Sequence, residues 1–138
     1  MEKYDVIVIG TGSGYSVAKR CVAAGKKTAI IDNQPFGGTC ALRGCDPKKV
    51  LVGISHVLSL NKQLQGKGIT TIANYSWKDM IQFKKTFTEP KTPATLTSLK
   101  EAGINAYHGR AKFIAGNTIR VNEDILYGEK FVIANGAA

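Results

Sequence analysis

Cys40 and Cys45 stand with four residues between them in the run Gly37-Gly38-Thr39-Cys40-Ala41-Leu42-Arg43-Gly44-Cys45-Asp46-Pro47-Lys48-Lys49. Two cysteines at that spacing reach disulfide distance if the segment bends or begins a helix. The thiolate is the reactive form of cysteine, and nearby cations or a helix N-terminus favour it. Arg43, Lys48 and Lys49 supply the cations, and Pro47 suits the first turn of a helix that continues over residues 50–64. The pair therefore suits thiol–disulfide exchange, taking up two electrons as a disulfide and passing them on as a dithiol. Cys21 falls on the apolar side of a predicted helix and is expected to pack without chemistry. His56 and His108 are far apart and are expected to be structural. With no second cysteine pair and no histidine cluster, a metal site is not expected.

The second feature with chemical content is Gly10-Thr11-Gly12-Ser13-Gly14, followed by Asp32. Glycines let a backbone approach a pyrophosphate closely, and the amides of a helix start then meet its charge. An acid roughly twenty residues further on is where a ribose hydroxyl is received. The third position of the usual spacing falls on Tyr15, which is neither glycine nor alanine; alternatively Gly14 stands in one residue early. Either way the packing of helix on strand must adjust.

The elements that must hold these residues follow from pattern. Residues 4–9 are β-branched and read as a buried strand, residues 15–24 as a helix stopped by Gly25, and residues 27–31 as a second strand with Asp32 at its end. Strand, glycine loop, helix, strand and acid together open a dinucleotide-binding βαβ unit. A helix is predicted over residues 77–87, with Ser76 as cap and Asp79 three residues on. Glu89-Pro90-Lys91-Thr92-Pro93 ends it, and another helix is predicted over 94–102 with Gly103 as its stop. Residues 104–108, 111–114, 118–121 and 130–133 read as short strands separated by Gly109, Gly116-Asn117, Asn122 and Gly128, a small antiparallel meander. The fold class expected is α/β, a Rossmann-like domain with a central parallel sheet plus that meander, spanning residues 1–138 as one domain.

The chain has 138 residues, of which 43% are hydrophobic, enough for one cored domain. The net charge of +9 comes from scattered lysines, without an arginine-rich run interleaved with aromatics. A solvated basic face is expected, and no nucleic acid partner. No apolar run reaches the length of a membrane span, so no membrane partner is expected. An odd cysteine count fits a secreted disulfide framework poorly, and Met1-Glu2-Lys3-Tyr4 leads directly into a strand. The cytoplasm is the expected compartment.

Taken together, Gly38-Thr39-Cys40, Gly44-Cys45 and Pro47-Lys48-Lys49 after a nucleotide-binding βαβ unit resemble the FAD-dependent pyridine nucleotide–disulfide oxidoreductases, such as glutathione reductase, dihydrolipoamide dehydrogenase and mercuric reductase. His108-Gly109-Arg110-Ala111 resembles that family's adenine-contacting segment, and Phe131-Val132-Ile133-Ala134-Asn135-Gly136-Ala137 its closing strand and flavin-side turn. The resemblance implies FAD held by Gly10, Gly12, Ser13 and Gly14 at the pyrophosphate, by Asp32 at the adenosine ribose and by the Ala111 backbone at the adenine. It places Gly38, Thr39 and Cys40 along the flavin, Lys48 or Lys49 near its N5, and Asn135 and Gly136 at the flavin-side turn. Cys45 becomes the thiolate facing the isoalloxazine, and Cys40 the interchange thiol facing a small disulfide or thiol substrate. The family also implies a homodimer, an NAD(P)H-binding domain and an interface domain carrying an acid–base pair. The last two are absent from these residues, so the chain is expected to be an incomplete, N-terminal FAD-binding portion that does not turn over alone. The reading from another class is a standalone nucleotide-binding or thiol-redox module without turnover.

Overall fold

The computed structural model describes residues 1–136; Ala137, within the run resembling the flavin-side turn, lies outside the described residues. The chain divides into two compact units, one of residues 1–38 with 91–138 and one of residues 39–90.

The first unit is built on a sheet that, among the described residues, has six strands: β1 (Glu2–Ile9), β2 (Thr28–Asp32), β3 (Asn105–His108), β4 (Ala111–Ala115), β5 (Thr118–Val121) and β6 (Asp124–Ile133). Their order is β3-β2-β1-β6-β5-β4. The pairs β1–β2, β1–β6 and β2–β3 are parallel, whereas β5–β6 and β4–β5 are antiparallel. The expected α/β class with a parallel centre and an antiparallel part is therefore present. The boundary between the two parts differs from the sequence expectation. Residues 104–108 do not open the meander; β3 joins the parallel side, with Asp32 in register with His108. Gly128 does not form a turn either, because β6 runs through it. One end of β6 pairs with β5 (Val121 with Asp124) and its length pairs with β1 (Glu2 with Leu126 through Ile9 with Ile133). A side chain at 128 would meet Ile7 at 2.9 Å, so a glycine there reflects close packing.

Thr28, Ala29, Ile30 and Ile31 are all buried, as expected of a strand covered on both faces. Alternate residues feed two clusters. Ile7, Ala29 and Ile31 pack with Ile119, Val121 and Leu126. Val8 and Ile30 pack with Ala18 of helix α1 (Gly14–Ala23), Leu99 of helix α5 (Lys91–Glu101), Phe36 and Ile104. Each fully buried isoleucine or leucine contributes about 1.5–3 kcal/mol. Helix α5 begins three residues earlier than predicted. Pro93 falls in its first turn, where a missing N–H costs nothing.

The second unit is helical. It holds all but the first residue of α2 (Gly38–Arg43), together with α3 (Cys45–Gln63) and α4 (Trp77–Thr88). Helix α4 follows its predicted boundaries closely, and the Ser76 hydroxyl accepts from the Asp79 N–H at 3.3 Å. The cysteine run is helical on both sides of Gly44; the first turn expected around Pro47 is present, and the separate short helix before it departs from expectation. Ala41-Leu42-Arg43 are strong helix formers and close a short helix, Gly44 interrupts it, and α3 starts at Cys45 itself. Asp46 and Pro47 occupy the first turn of α3, both favoured there.

Candidate functional site

The nucleotide cradle is assembled within the first unit. Gly10 turns the chain out of β1 at φ +104°, and its N–H donates to Ile31 O at 2.7 Å. A Cβ at Gly10 would lie 2.3 Å from Ala134 O and 2.9 Å from the Asn135 Cα, so only glycine lets the end of β6 approach. This close approach also brings Asn135 to the loop. Gly12 is exposed with open space where a side chain would be. Ser13, also exposed, is the N-cap residue of α1 but makes no side-chain cap bond, and the first turn of α1 carries no acid. The amides of that turn are thus left to an anionic ligand, with the helix dipole in their favour.

Gly14 settles the irregular glycine spacing. It is buried in the first turn of α1, and a Cβ there would sit 2.6 Å from Val8 Cγ1. Close approach of helix to strand is thus demanded at position 14, and Tyr15 is released to a half-buried place. Its hydroxyl bonds the Ser98 hydroxyl of α5 at 2.7 Å.

Asp32 closes β2 and is half-buried. Its Oδ2 accepts from the Thr11 N–H at 2.8 Å and from the Thr11 hydroxyl at 2.5 Å, and its Oδ1 accepts from the Gln34 N–H at 2.9 Å. The Gly109 N–H donates to the Asp32 carbonyl at 2.9 Å, which ties the end of β3 to the end of β2, and Ala111 opens β4 two residues on. Gly38 sits against the loop: a Cβ on it would meet the Gly12 Cα at 2.6 Å. Gly136 is exposed at φ +79°. Sequence reasoning missed Thr11. It is 2% exposed, yet at an interior position of a glycine loop a threonine gives no signal until its partners are known.

The thiols lie in the second unit. Cys40 is in α2 and Cys45 opens α3; both are free and exposed. The neighbouring Cys45 thiol is the main cause of a Cys40 pKa above the ordinary thiol value; desolvation and the negative charge of Asp46 add to it. Gly44 makes the pairing possible: a Cβ on it would lie 3.1 Å from Thr39 O and 3.3 Å from the Cys40 Cα. Lys48 and Lys49 are exposed on α3, and the Lys48 N–H donates to the Gly44 carbonyl at 3.1 Å. Among the described residues no group of three or more histidines, cysteines or acids is placed to hold a metal ion. Among them too, no helix is long and apolar enough to cross a membrane.

The donor set suits an adenine dinucleotide: uncapped helix-start amides without a competing acid, open space over Gly12, and a carboxylate at the next strand end. The chain is 35% identical over 135 residues to a glutathione reductase of Nostoc sp. (strain PCC 7120), covering 96% of this chain and 29% of the relative. It is 31% identical to a mercuric reductase of Bacillus cereus (98% and 22% covered) and 26% identical to a dihydrolipoyl dehydrogenase of Acholeplasma laidlawii (99% and 42%). Among solved structures, the HOCl-induced flavoprotein disulfide reductase RclA of Escherichia coli superposes with a TM-score of 0.80 at 27% identity, covering 98% of this chain and 28% of that one. The chain thus spans well under half the length of these relatives. The family described as pyridine nucleotide-disulphide oxidoreductase matches residues 4–138, and the chain belongs to it.

Proposed function

We propose that residues 1–138 form the FAD-binding, dithiol-bearing domain of an NAD(P)H-dependent oxidoreductase acting on a small disulfide or thiol, or on a metal ion as mercuric reductases do. The observation that carries this reading is the placing of two exposed cysteines, Cys40 in α2 and Cys45 at the start of α3, on either side of Gly44 in a chain of this family. When bound, FAD relays two electrons from a nicotinamide donor to a disulfide. Gly10, Gly12, Ser13 and Gly14 hold its pyrophosphate, Asp32 its adenosine ribose and the Ala111 backbone its adenine. Gly38, Thr39, Lys48, Lys49, Asn135 and Gly136 serve the flavin side. NAD(P)H binds a domain beyond these residues, and the parent works as a cytoplasmic homodimer. The isolated chain is not competent for turnover.

The chemistry of the two sulfurs is thiol exchange. Two electrons and two protons convert the Cys40–Cys45 disulfide to the dithiol. Cys40, as thiolate, attacks one sulfur of a substrate disulfide, forming a mixed disulfide and expelling the other substrate thiolate. Cys45, as thiolate, then attacks the Cys40 sulfur, releases the second substrate thiolate and restores the internal disulfide. The neighbouring Cys45 thiol raises the Cys40 pKa, so Cys40 gives up its proton before the first attack.

Titration of the protein with FAD, followed by quenching of flavin fluorescence, tests the reading. Saturable binding that Asp32→Asn weakens about tenfold, the scale of a lost charge-assisted hydrogen bond, supports it. No uptake of FAD, by either the chain or the parent protein, sinks it.

A further inference from the structure

Thr11 joins three parts of the cradle through one buried side chain. Its hydroxyl has a single proton, and that proton goes to Asp32 Oδ2 at 2.5 Å, the short distance of a charge-assisted bond. The lone pairs of the same oxygen accept the Gly37 N–H at 3.2 Å. The Thr11 N–H adds a second bond to the same Oδ2 at 2.8 Å. The result is an asymmetric carboxylate. A carboxylate offers about four acceptor directions, two on each oxygen. Both on Oδ2 are taken by Thr11, and one on Oδ1 is taken by the Gln34 N–H. One direction, on Oδ1, is left.

From this we propose that Thr11 is a positioning residue that makes Asp32 read one of the two ribose hydroxyls of an adenine nucleotide rather than clamp both. The inference rests on the adenosine-ribose role given to Asp32 above, and adds to it which oxygen is used and what enforces the choice. The Thr11 hydroxyl also fixes Gly37, and the next residue, Gly38, packs against Gly12 within the reach of a methyl group. The hydroxyl therefore ties the orientation of the acid to the floor of the phosphate loop. A threonine is suited to this because its hydroxyl donates and accepts at once; valine has the shape without either bond.

The test measures dissociation constants of the 138-residue chain for ADP, 2′-deoxy-ADP and 3′-deoxy-ADP. In the unaltered chain one deoxy analogue is expected to bind about tenfold weaker than ADP and the other within about twofold, since a single charge-assisted hydrogen bond is at stake. In Thr11→Val, Oδ2 loses its strongest partner and can turn to the ligand. The ratio between the two deoxy analogues is then expected to collapse toward one. Thr11→Ser keeps the hydroxyl and restores the ratio. A structural role alone would weaken all three ligands by one common factor and leave the ratio standing; that result overturns the proposal, as does equal loss for both deoxy analogues in the unaltered chain. If Thr11→Val does not fold, Thr11→Ala read against Thr11→Ser gives the same ratio. A chain that binds none of the three nucleotides removes the adenosine role of Asp32 and this inference with it, and is distinguished by its lack of response to FAD.

Discussion

Ile7, Ile30 and Ile31 in the sheet have no exposed surface, whereas in helices α2 to α4, of which the first two carry the thiols, the residues that reach burial beyond Gly38 are Pro47 and Thr88. Val52, Val57 and Leu60 of α3 and its C-cap residue Leu64 remain 43–64% exposed. The nucleotide half is thus fixed by long-range packing between strands far apart in sequence, the thiol half by local helix geometry around Gly44. A cradle for a large anion needs several backbone segments held within a few tenths of an ångström, which only a close-packed core provides. A redox pair needs two sulfurs that can meet, part and meet a substrate, and two short helices with a glycine between them suffice.

The largest expected contrast is in truncation. Ile30→Ala should cost about 3–4 kcal/mol, a cavity in a closed core, and lower the melting temperature by roughly 10 °C or more. Val57→Ala should change stability by no more than about 0.5 kcal/mol, because its side chain is already in water and alanine is the better helix former. Equal melting shifts for the two would break the contrast. The same glycine-to-alanine change should act in opposite directions in the two units. Gly14→Ala drives a methyl into Val8 and should cost about 1–3 kcal/mol. Gly53→Ala in α3 meets nothing and should stabilise by about 0.5–1 kcal/mol through helix propensity. Denaturant midpoints decide between these signs.

A smaller effect lies in the pH dependence of the first unit. The Tyr4 hydroxyl donates to Glu2 at 2.7 Å, lies 2.7 Å from the Tyr107 hydroxyl and accepts from Asn105 at 2.6 Å. Burial, before any other cause, pushes both phenols above their ordinary value. The unfolded chain therefore loses these protons first, at about pH 10. Stability from this cluster is complete below that pH and is lost as pH rises toward the folded values. Tyr4→Phe should cost about 1 kcal/mol at neutral pH and flatten the alkaline fall, read from melting temperatures between pH 8 and 11. The smallest expected change, in the second unit, leaves stability alone. Cys45→Ala removes the main cause of the raised Cys40 pKa, so Cys40 should be alkylated severalfold faster by iodoacetamide at pH 8. An unchanged rate would show that the thiols do not sense each other.

Much of this was legible in the residues. The β1–α1–β2 unit was readable because β-branched runs, glycines and an acid at fixed offsets encode a local motif, and α4 because Ser76 and Asp79 mark its start. The short helix α2 was not legible, since glycines on either side mask three strong helix formers in a row. β3 was misassigned to the meander because a short strand carries no mark of its partner: pairing with β2 is decided by chain closure through α5, well outside any local window. The continuation of β6 through Gly128 was hidden for a related reason, as a glycine required by contact with Ile7 looks the same as one required by a turn.

The sequence by itself determined the chemistry available: two thiols four residues apart, a glycine loop after a strand, and an acid at the next strand end. Those depend on residue type and short spacing, which the chain carries openly. The tertiary structure alone decided which glycine bears the helix–strand contact, how Asp32 is oriented and what raises the Cys40 pKa. Each of these depends on atoms brought together by folding: Val8 against Gly14, Thr11 and Gln34 around the carboxylate, and the Cys45 thiol near Cys40.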